Sequence, residues 1–182
     1  MSQIILSGAP GTGKTSVLNA LKSLGYICMD ESFREFVQED NLEKTSQNYK
    51  ESPLYFSRLL FESRKKQYHN YQNAKITFYD RSLIDILAYL SVDGLPIPEE
   101  WESFIKEHYY NKTILYFPFW EEIYQTDQER LENIDLAKEI DLELRKTYLN
   151  LGYEILEIPK LSIPNRVQFI QDWIAKSIGQ IK

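Results

Sequence analysis

The sequence predicts an α/β fold, a three-layer sandwich in which helices cover both faces of a five-stranded parallel sheet. Short apolar runs alternate along the chain with longer segments of helical period, which is how a parallel sheet wrapped by helices reads. The first of those runs passes through a glycine-rich turn, Gly8 to Gly13, straight into an amphipathic helix. Leu24-Gly25-Tyr26 and Leu151-Gly152-Tyr153 each set a glycine where a helix must turn into a strand.

Gln3 to Ser7 reads as the first strand. The helix after it, Lys14 to Leu24, carries Val17, Leu18, Leu21 and Leu24 on one face and is closed by Gly25. Tyr26 to Met29 is the second strand, and Asp30 is placed to cap a short helix from Glu31 to about Glu39. Residues 40–51 are polar and define no element. Ser52-Pro53 supplies a cap and a first-turn proline for a long helix to about Asn73, with Leu54, Phe61 and Tyr68 at seven-residue intervals.

Lys75 to Tyr79 is the third strand. Leu83 to Val92 is apolar almost all round, as in a helix packed on both sides, and Asp93-Gly94 with Pro96 and Pro98 ends it. Pro98 opens another helix ending near Tyr110. Thr113 to Phe117 is the fourth strand and Tyr153 to Ile158 the fifth. Between them lie a lid-like insertion, about 118–130, and a charged helix from about Gln128 to Leu151. A last helix bears Val167, Ile170, Ile174 and Ile178 on one stripe.

At 182 residues the chain is expected to form one domain over 1–182, a length that hides roughly 70% of its extended surface on folding. Its 43% hydrophobic and 26% charged residues are those of a globular protein. The net charge of −6 and the scatter of the 21 Lys and Arg argue against nucleic acid as a partner. Met1 to Ser7 lead directly into the glycine turn, and no apolar run approaches the ~20 residues of a membrane span. Cys28 is the single cysteine and sits in a core strand. Together these favour a cytoplasmic protein without a membrane partner. His69 and His108 have neither a cysteine nor a second histidine at ligand spacing, and both read as surface helix residues.

Gly8-Ala9-Pro10-Gly11-Thr12-Gly13-Lys14-Thr15, extended by Ser16, is a P-loop sequence. Its glycines admit backbone angles closed to other residues and aim successive N–H groups at anionic oxygens. Lys14 brings positive charge to the β- and γ-phosphates, Thr15 offers a hydroxyl to Mg²⁺, and the helix they open adds its positive dipole end. The ligand expected is ATP, with GTP second. Ile76 to Asp80 then delivers a carboxylate to the carboxyl end of a buried strand, where open α/β sheets bind ligands. Asp80 reads either as a group for Mg²⁺ or as a cap for the helix after Ser82. Arg81 follows where a hydrolytic motor carries an acid; an arginine there suits an acceptor or a phosphoryl group in transfer.

At Asp80-Arg81-Ser82 the chain resembles the nucleoside and nucleotide kinases of the P-loop class. Over nearly its whole length it is similar to a family of predicted ATPases with an AAA-type domain, related to nicotinamide-riboside kinases. The matching stretches are Gly8 to Thr15, Asp30-Glu31, Asp80-Arg81 with Asp85 and Tyr89, Pro118 to Arg130, and Leu151-Gly152-Tyr153 through Pro159 to Arg166. An AAA+ motor is not implied, because there is no room for its helical lid domain and Asp80 lacks the following Glu. A GTPase is disfavoured as well: Asn111-Lys112 lacks the acid of an Asn-Lys-x-Asp guanine reader.

The resemblance implies further roles. Glu31 stands where such kinases place the base for an acceptor hydroxyl, with Arg34 one turn on as substrate anchor; the other reading is an acid favoured by a helix dipole and a surface charge. Arg130 is the lid arginine for the transferring phosphoryl group, or an exposed helix arginine paired with a neighbouring acid. Phe119, Trp120 and Tyr124 pack a hinge or stack on a base, and Pro159 to Ser162 lies where related folds touch adenine. The function implied is an ATP- and Mg²⁺-dependent phosphotransferase for a small acceptor, nucleosides and nucleotides first. Its rival is a nucleotide-binding regulator that hydrolyses slowly. The oligomeric state has no signature.

Overall fold

In the computed structural model, residues 2–30, 52–70, 75–124 and 133–177 are described. The strands are β1 (Ser2–Gly8), β2 (Ile27–Met29), β3 (Ile76–Asp80), β4 (Thr113–Phe117) and β5 (Glu154–Glu157). They form one parallel sheet in the order β2-β3-β1-β4-β5. The helices are α1 (Lys14–Ser23), α2 (Pro53–Asn70), α3 (Leu83–Val92), α4 (Glu99–Glu107), α5 (Ile134–Asn150) and α6 (Ile163–Ser177). A 3₁₀ turn spans Glu121–Ile123.

Strand alternation divides the core in two. Ile4, Leu6, Phe78, Leu115 and Phe117 point to one face, where Val17, Leu18 and Leu21 of α1 and Val167, Ile170 and Ile174 of α6 cover them. Ile5, Tyr79, Ile114 and Tyr116 point to the other, beneath α2, α3, α4 and α5. This is the expected three-layer sandwich. The central strand β1 carries the glycine loop, and its neighbours place Asp80 and Phe117 beside it: Leu6 is in register with Asp80 and Gly8 with Phe117.

Several boundaries differ from the sequence reading. Leu24 is 57% exposed, because α1 ends at Ser23 and Leu24 forms the cap beyond the buried face, before Gly25 at φ 89°. Pro98 is the extended N-cap of α4 rather than its first residue, and α4 stops at Glu107, where His108 turns extended (φ −124°, ψ 97°) with its Nδ1 2.8 Å from the Phe104 carbonyl oxygen. Helix α5 starts at Ile134, not near Gln128, since Asn133 is extended (ψ 174°) and its side chain accepts from the Leu136 N–H at 2.9 Å. The expected helix at 31–39, the ends at 71–73 and 128–132, and Ile178 lie outside the described residues.

His69 is exposed, but His108 is half-buried, and the two rings pack edge to face at 5.4 Å. They are far apart in sequence yet neighbours in space, because α2 and the end of α4 meet around Tyr68 and Phe104. Among the described residues no group of three or more His, Cys, Asp or Glu is arranged to hold a metal ion. No described helix is long and apolar enough to cross a membrane. Cys28 is buried as expected, and burial pushes its thiol up to about 11.

Candidate active site

The loop after β1 is shaped by its glycines. At Gly8 the chain passes so close to β4 that a Cβ would stand 2.0 Å from the Phe117 carbonyl oxygen, and φ is +133°. Gly11 (φ 74°) and Gly13 (φ 80°) take left-handed angles, and Gly13 caps α1 without a side-chain bond, so the first turn's N–H groups stay available to an anion. Ala9, Pro10 and Thr12 are buried, whereas Thr15 is half-buried and Ser16 exposed at the start of α1.

Lys14 folds its side chain back on its own loop. It is the first residue of α1, only 6% exposed, and its ammonium donates to the carbonyls of Gly8 (2.9 Å) and Ala9 (2.6 Å). Buried carbonyls need donors, and the ammonium supplies them. Arg166 of α6 acts from the other side, donating to the Thr12 carbonyl at 2.8 Å. Its guanidinium fills the space where a Gly13 side chain would be, 3.1 Å from that Cβ position.

Asp80, 3% exposed at the end of β3, accepts from the Thr15 hydroxyl at 2.8 Å. The capping alternative for Asp80 is overturned. Ser82 is the extended N-cap of α3; its Oγ accepts from the Ile84 N–H at 3.0 Å, and Asp85 accepts from the Ser82 N–H at 2.8 Å, completing a capping box. Arg81, between them, has φ 70°, the one positive φ among the described non-glycine residues. Holding a non-glycine residue there costs about 1–2 kcal/mol. Its N–H continues the sheet by donating to the Leu6 carbonyl at 2.9 Å.

Asp85 is completely buried and collects donors from three elements. Its Oδ1 accepts from the Ser7 hydroxyl at 2.7 Å, and its Oδ2 from the Tyr148 hydroxyl of α5 at 2.5 Å. Arg81 Nη1 stands 3.6 Å from Oδ1, and Arg64 of α2 donates to the neighbouring Ser82 carbonyl at 2.5 Å. Burial pushes the Asp85 carboxyl up, but the Arg81 and Arg64 charges with the Tyr148 and Ser7 hydrogen bonds outweigh it and hold it below the usual carboxylate range. Burial and the adjacent Asp85 push Tyr148 well above its ordinary value, so it stays a donor. Buried and enclosed by these donors, the Asp85 carboxylate faces protein groups rather than solvent.

Beside the loop lies a shallow surface depression lined by Thr12, Phe117, Trp120, Ile158, Pro159 and Arg166 among others. The Arg166 guanidinium lies 5.5 Å from the Trp120 ring and 5.9 Å from that of Phe117. Phe119 and Tyr124 pack against each other, ring to ring at 5.4 Å, while Trp120 lines the depression.

The chain matches the AAA domain family over residues 3–166. The chain belongs to that family. This AAA-domain protein is also similar to the structure of deoxyadenosine kinase from M. mycoides with bound dATP. They share 15% identity at a TM-score of 0.70, over 94% of this chain and 98% of that one. A second structure of that kinase, with the products dCMP and a flexible dCDP bound, gives 14% identity and a TM-score of 0.72, over 96% and 99%. Comparison with curated proteins gave no match. The likeness establishes the fold of the AAA-domain protein as a P-loop α/β sandwich of the kind those kinases have.

Of the residues expected to act, the fold brings together the loop from Gly8 to Thr15, Asp80 and Arg81. Glu31, Arg34 and Arg130 lie outside the described residues. Sequence reasoning gave no role to Ser7, Arg64, Tyr148 or Arg166. Only the interval from Arg81 to Asp85 to Tyr89, four residues each, carried a readable signal.

Proposed function

We propose that this protein is an ATP- and Mg²⁺-dependent phosphotransferase for a small hydroxyl- or phosphate-bearing acceptor, with nucleosides and nucleotides foremost. The observation that carries the reading is the 2.8 Å contact between Thr15 of the loop and Asp80 of β3, followed by Arg81 rather than an acid. A hydroxyl and a carboxylate oxygen fit Mg²⁺, which is commonly held by one or two protein oxygens together with water and phosphate. Thr15 and Asp80 would hold the ion, and bound there it neutralises charge on the phosphate oxygens.

The loop N–H groups and the start of α1 receive the phosphates, with Lys14 as their cation. The pocket formed by Trp120, Phe117 and Arg166 takes the adenine, an aromatic and cationic surface suited to a flat base. Arg81 contacts the acceptor or the phosphoryl group, Glu31 accepts the acceptor's hydroxyl proton, Arg34 anchors the acceptor, and Arg130 meets the phosphoryl group from the lid. In the reaction the acceptor oxygen bonds to the γ-phosphorus, the bond to the bridging oxygen breaks, and ADP leaves. The deoxyadenosine kinase structures, solved with dATP, dCMP and dCDP, support nucleosides and nucleotides as the acceptors to try first.

The test is to incubate the purified protein with labelled ATP and a panel of nucleosides, nucleotides and vitamins. At least one acceptor should gain label and raise ADP release above the basal level. ADP release that no acceptor changes would defeat the transferase reading in favour of a slow nucleotide-hydrolysing regulator.

A further inference from the structure

Arg81, Asp85 and Tyr89 stand four residues apart, one before α3 and two along it, and the fold turns that interval into contact. The Arg81 guanidinium lies 3.6 Å from Asp85 Oδ1 on one side and 5.3 Å from the Tyr89 ring on the other. We infer that Asp85 and Tyr89 are positioning residues for Arg81, fixing its guanidinium beside the phosphate loop and so setting the rate of the transfer proposed above, on which this inference rests.

The division of labour within the Asp85 carboxylate supports a role beyond helix capping. The capping box with Ser82 uses Oδ2 alone. Oδ1 serves Ser7, the residue immediately before Gly8, and faces Arg81. One carboxylate thereby ties the approach to the loop and the arginine to a common point. A buried carboxylate persists where opposite charge and hydrogen bonds surround it, and here Arg81 is the ion-pair partner. Tyr148 keeps the carboxylate in place from α5, the helix that follows the lid-like insertion.

Tyr89 adds what the carboxylate lacks. A guanidinium is planar and stacks on aromatic faces, so the ring restrains the plane of the group while the carboxylate restrains its position. The left-handed backbone at Arg81 needs this support, since such conformations persist where the surroundings over-determine them. A cation fixed in advance stabilises transferring charge without reorganising at the moment of reaction.

Two readouts on the full chain test this. The first is the ¹⁵N side-chain resonance of Arg81 Nε–Hε, assigned by its loss in Arg81→Lys. Its exchange with water should quicken at least ~10-fold in Asp85→Asn and in Tyr89→Leu but stay near wild type in Tyr89→Phe. The second is a double-mutant cycle. Asp85→Asn should lower kcat for the best acceptor about 10–100-fold with the KM for ATP within about 3-fold, yet add less than about 2-fold in an Arg81→Lys background. Unchanged Arg81 exchange in both variants, or full additivity with Arg81→Lys, would overturn the inference. Should Asp85→Asn fail to fold, Tyr89→Leu and Tyr148→Phe carry both readouts. A parent protein that transfers to no acceptor defeats the phosphotransferase reading, and the exchange measurement then decides the positioning role by itself.

Discussion

Replacing Lys14 with Met keeps most of the buried stem and deletes the ammonium, whose bonds include those to the Gly8 and Ala9 carbonyls, 2.9 and 2.6 Å long. The Ala9 carbonyl keeps the Thr12 hydroxyl as a donor at 3.0 Å, so the cost falls on the Gly8 carbonyl, about 1–3 kcal/mol, offset in part because an ammonium no longer has to be kept from water. A net loss of about 1 kcal/mol lowers Tm by about 2–4 °C in a protein of this size. The phosphates lose a charge-assisted contact worth about 1.5–3 kcal/mol, which weakens ATP binding roughly 10–150-fold. Differential scanning fluorimetry without nucleotide and calorimetric titration with ATP separate the two effects. An unchanged Tm would refute the bracing role of the ammonium, and an unchanged ATP affinity would refute its role toward phosphate.

Gly8→Ala combines a φ of +133° with a 2.0 Å approach to the Phe117 carbonyl oxygen, and should cost about 2–5 kcal/mol, seen as a Tm lowered by about 4–20 °C; a shift under about 2 °C would contradict the packing described. Asp80→Asn should move the Mg²⁺ titration of turnover to higher concentration and lower turnover more than ATP affinity, whereas superimposable Mg²⁺ curves would remove Asp80 from the metal site. Cys28, pushed by burial from 9.0 to about 11, should react with a disulfide reagent slowly at neutral pH and faster as the pH rises toward 11, and a rate that levels off near pH 9 would show an ordinary thiol. Because its folded value is the higher one, the stability it contributes is fully present below pH 9 and lost as the pH rises through about 11.

The sheet was readable because each strand is a short apolar run bounded by a polar or glycine turn, and the apolar segment Leu83 to Val92 is the helix α3 to the residue. The phosphate loop was readable because its function demands glycines at fixed intervals. The start of α5 was not: Gln128 to Glu132 is as polar as the helix itself, and only the extended backbone at Asn133 marks the boundary. Nor was the strain at Arg81, since nothing in an arginine announces a left-handed φ. Asp80 read as one possible cap for α3, and only the geometry gives that cap to Ser82. Arg166 lacked any local signal, because its partner carbonyl is 154 positions away.

That separation bears on how the protein is made. The glycine loop leaves the ribosome well ahead of the cation that braces its Thr12 carbonyl, which is translated after all five strands. At ~5–20 residues per second, a nascent chain spends many seconds with the phosphate loop exposed and its outer brace still unmade. Nucleotide affinity should therefore be acquired late and abruptly during synthesis, when α6 docks beside α1, rather than growing with each strand added. Chains arrested before residue 166 would carry the whole phosphate motif and still lack a finished receptor for it.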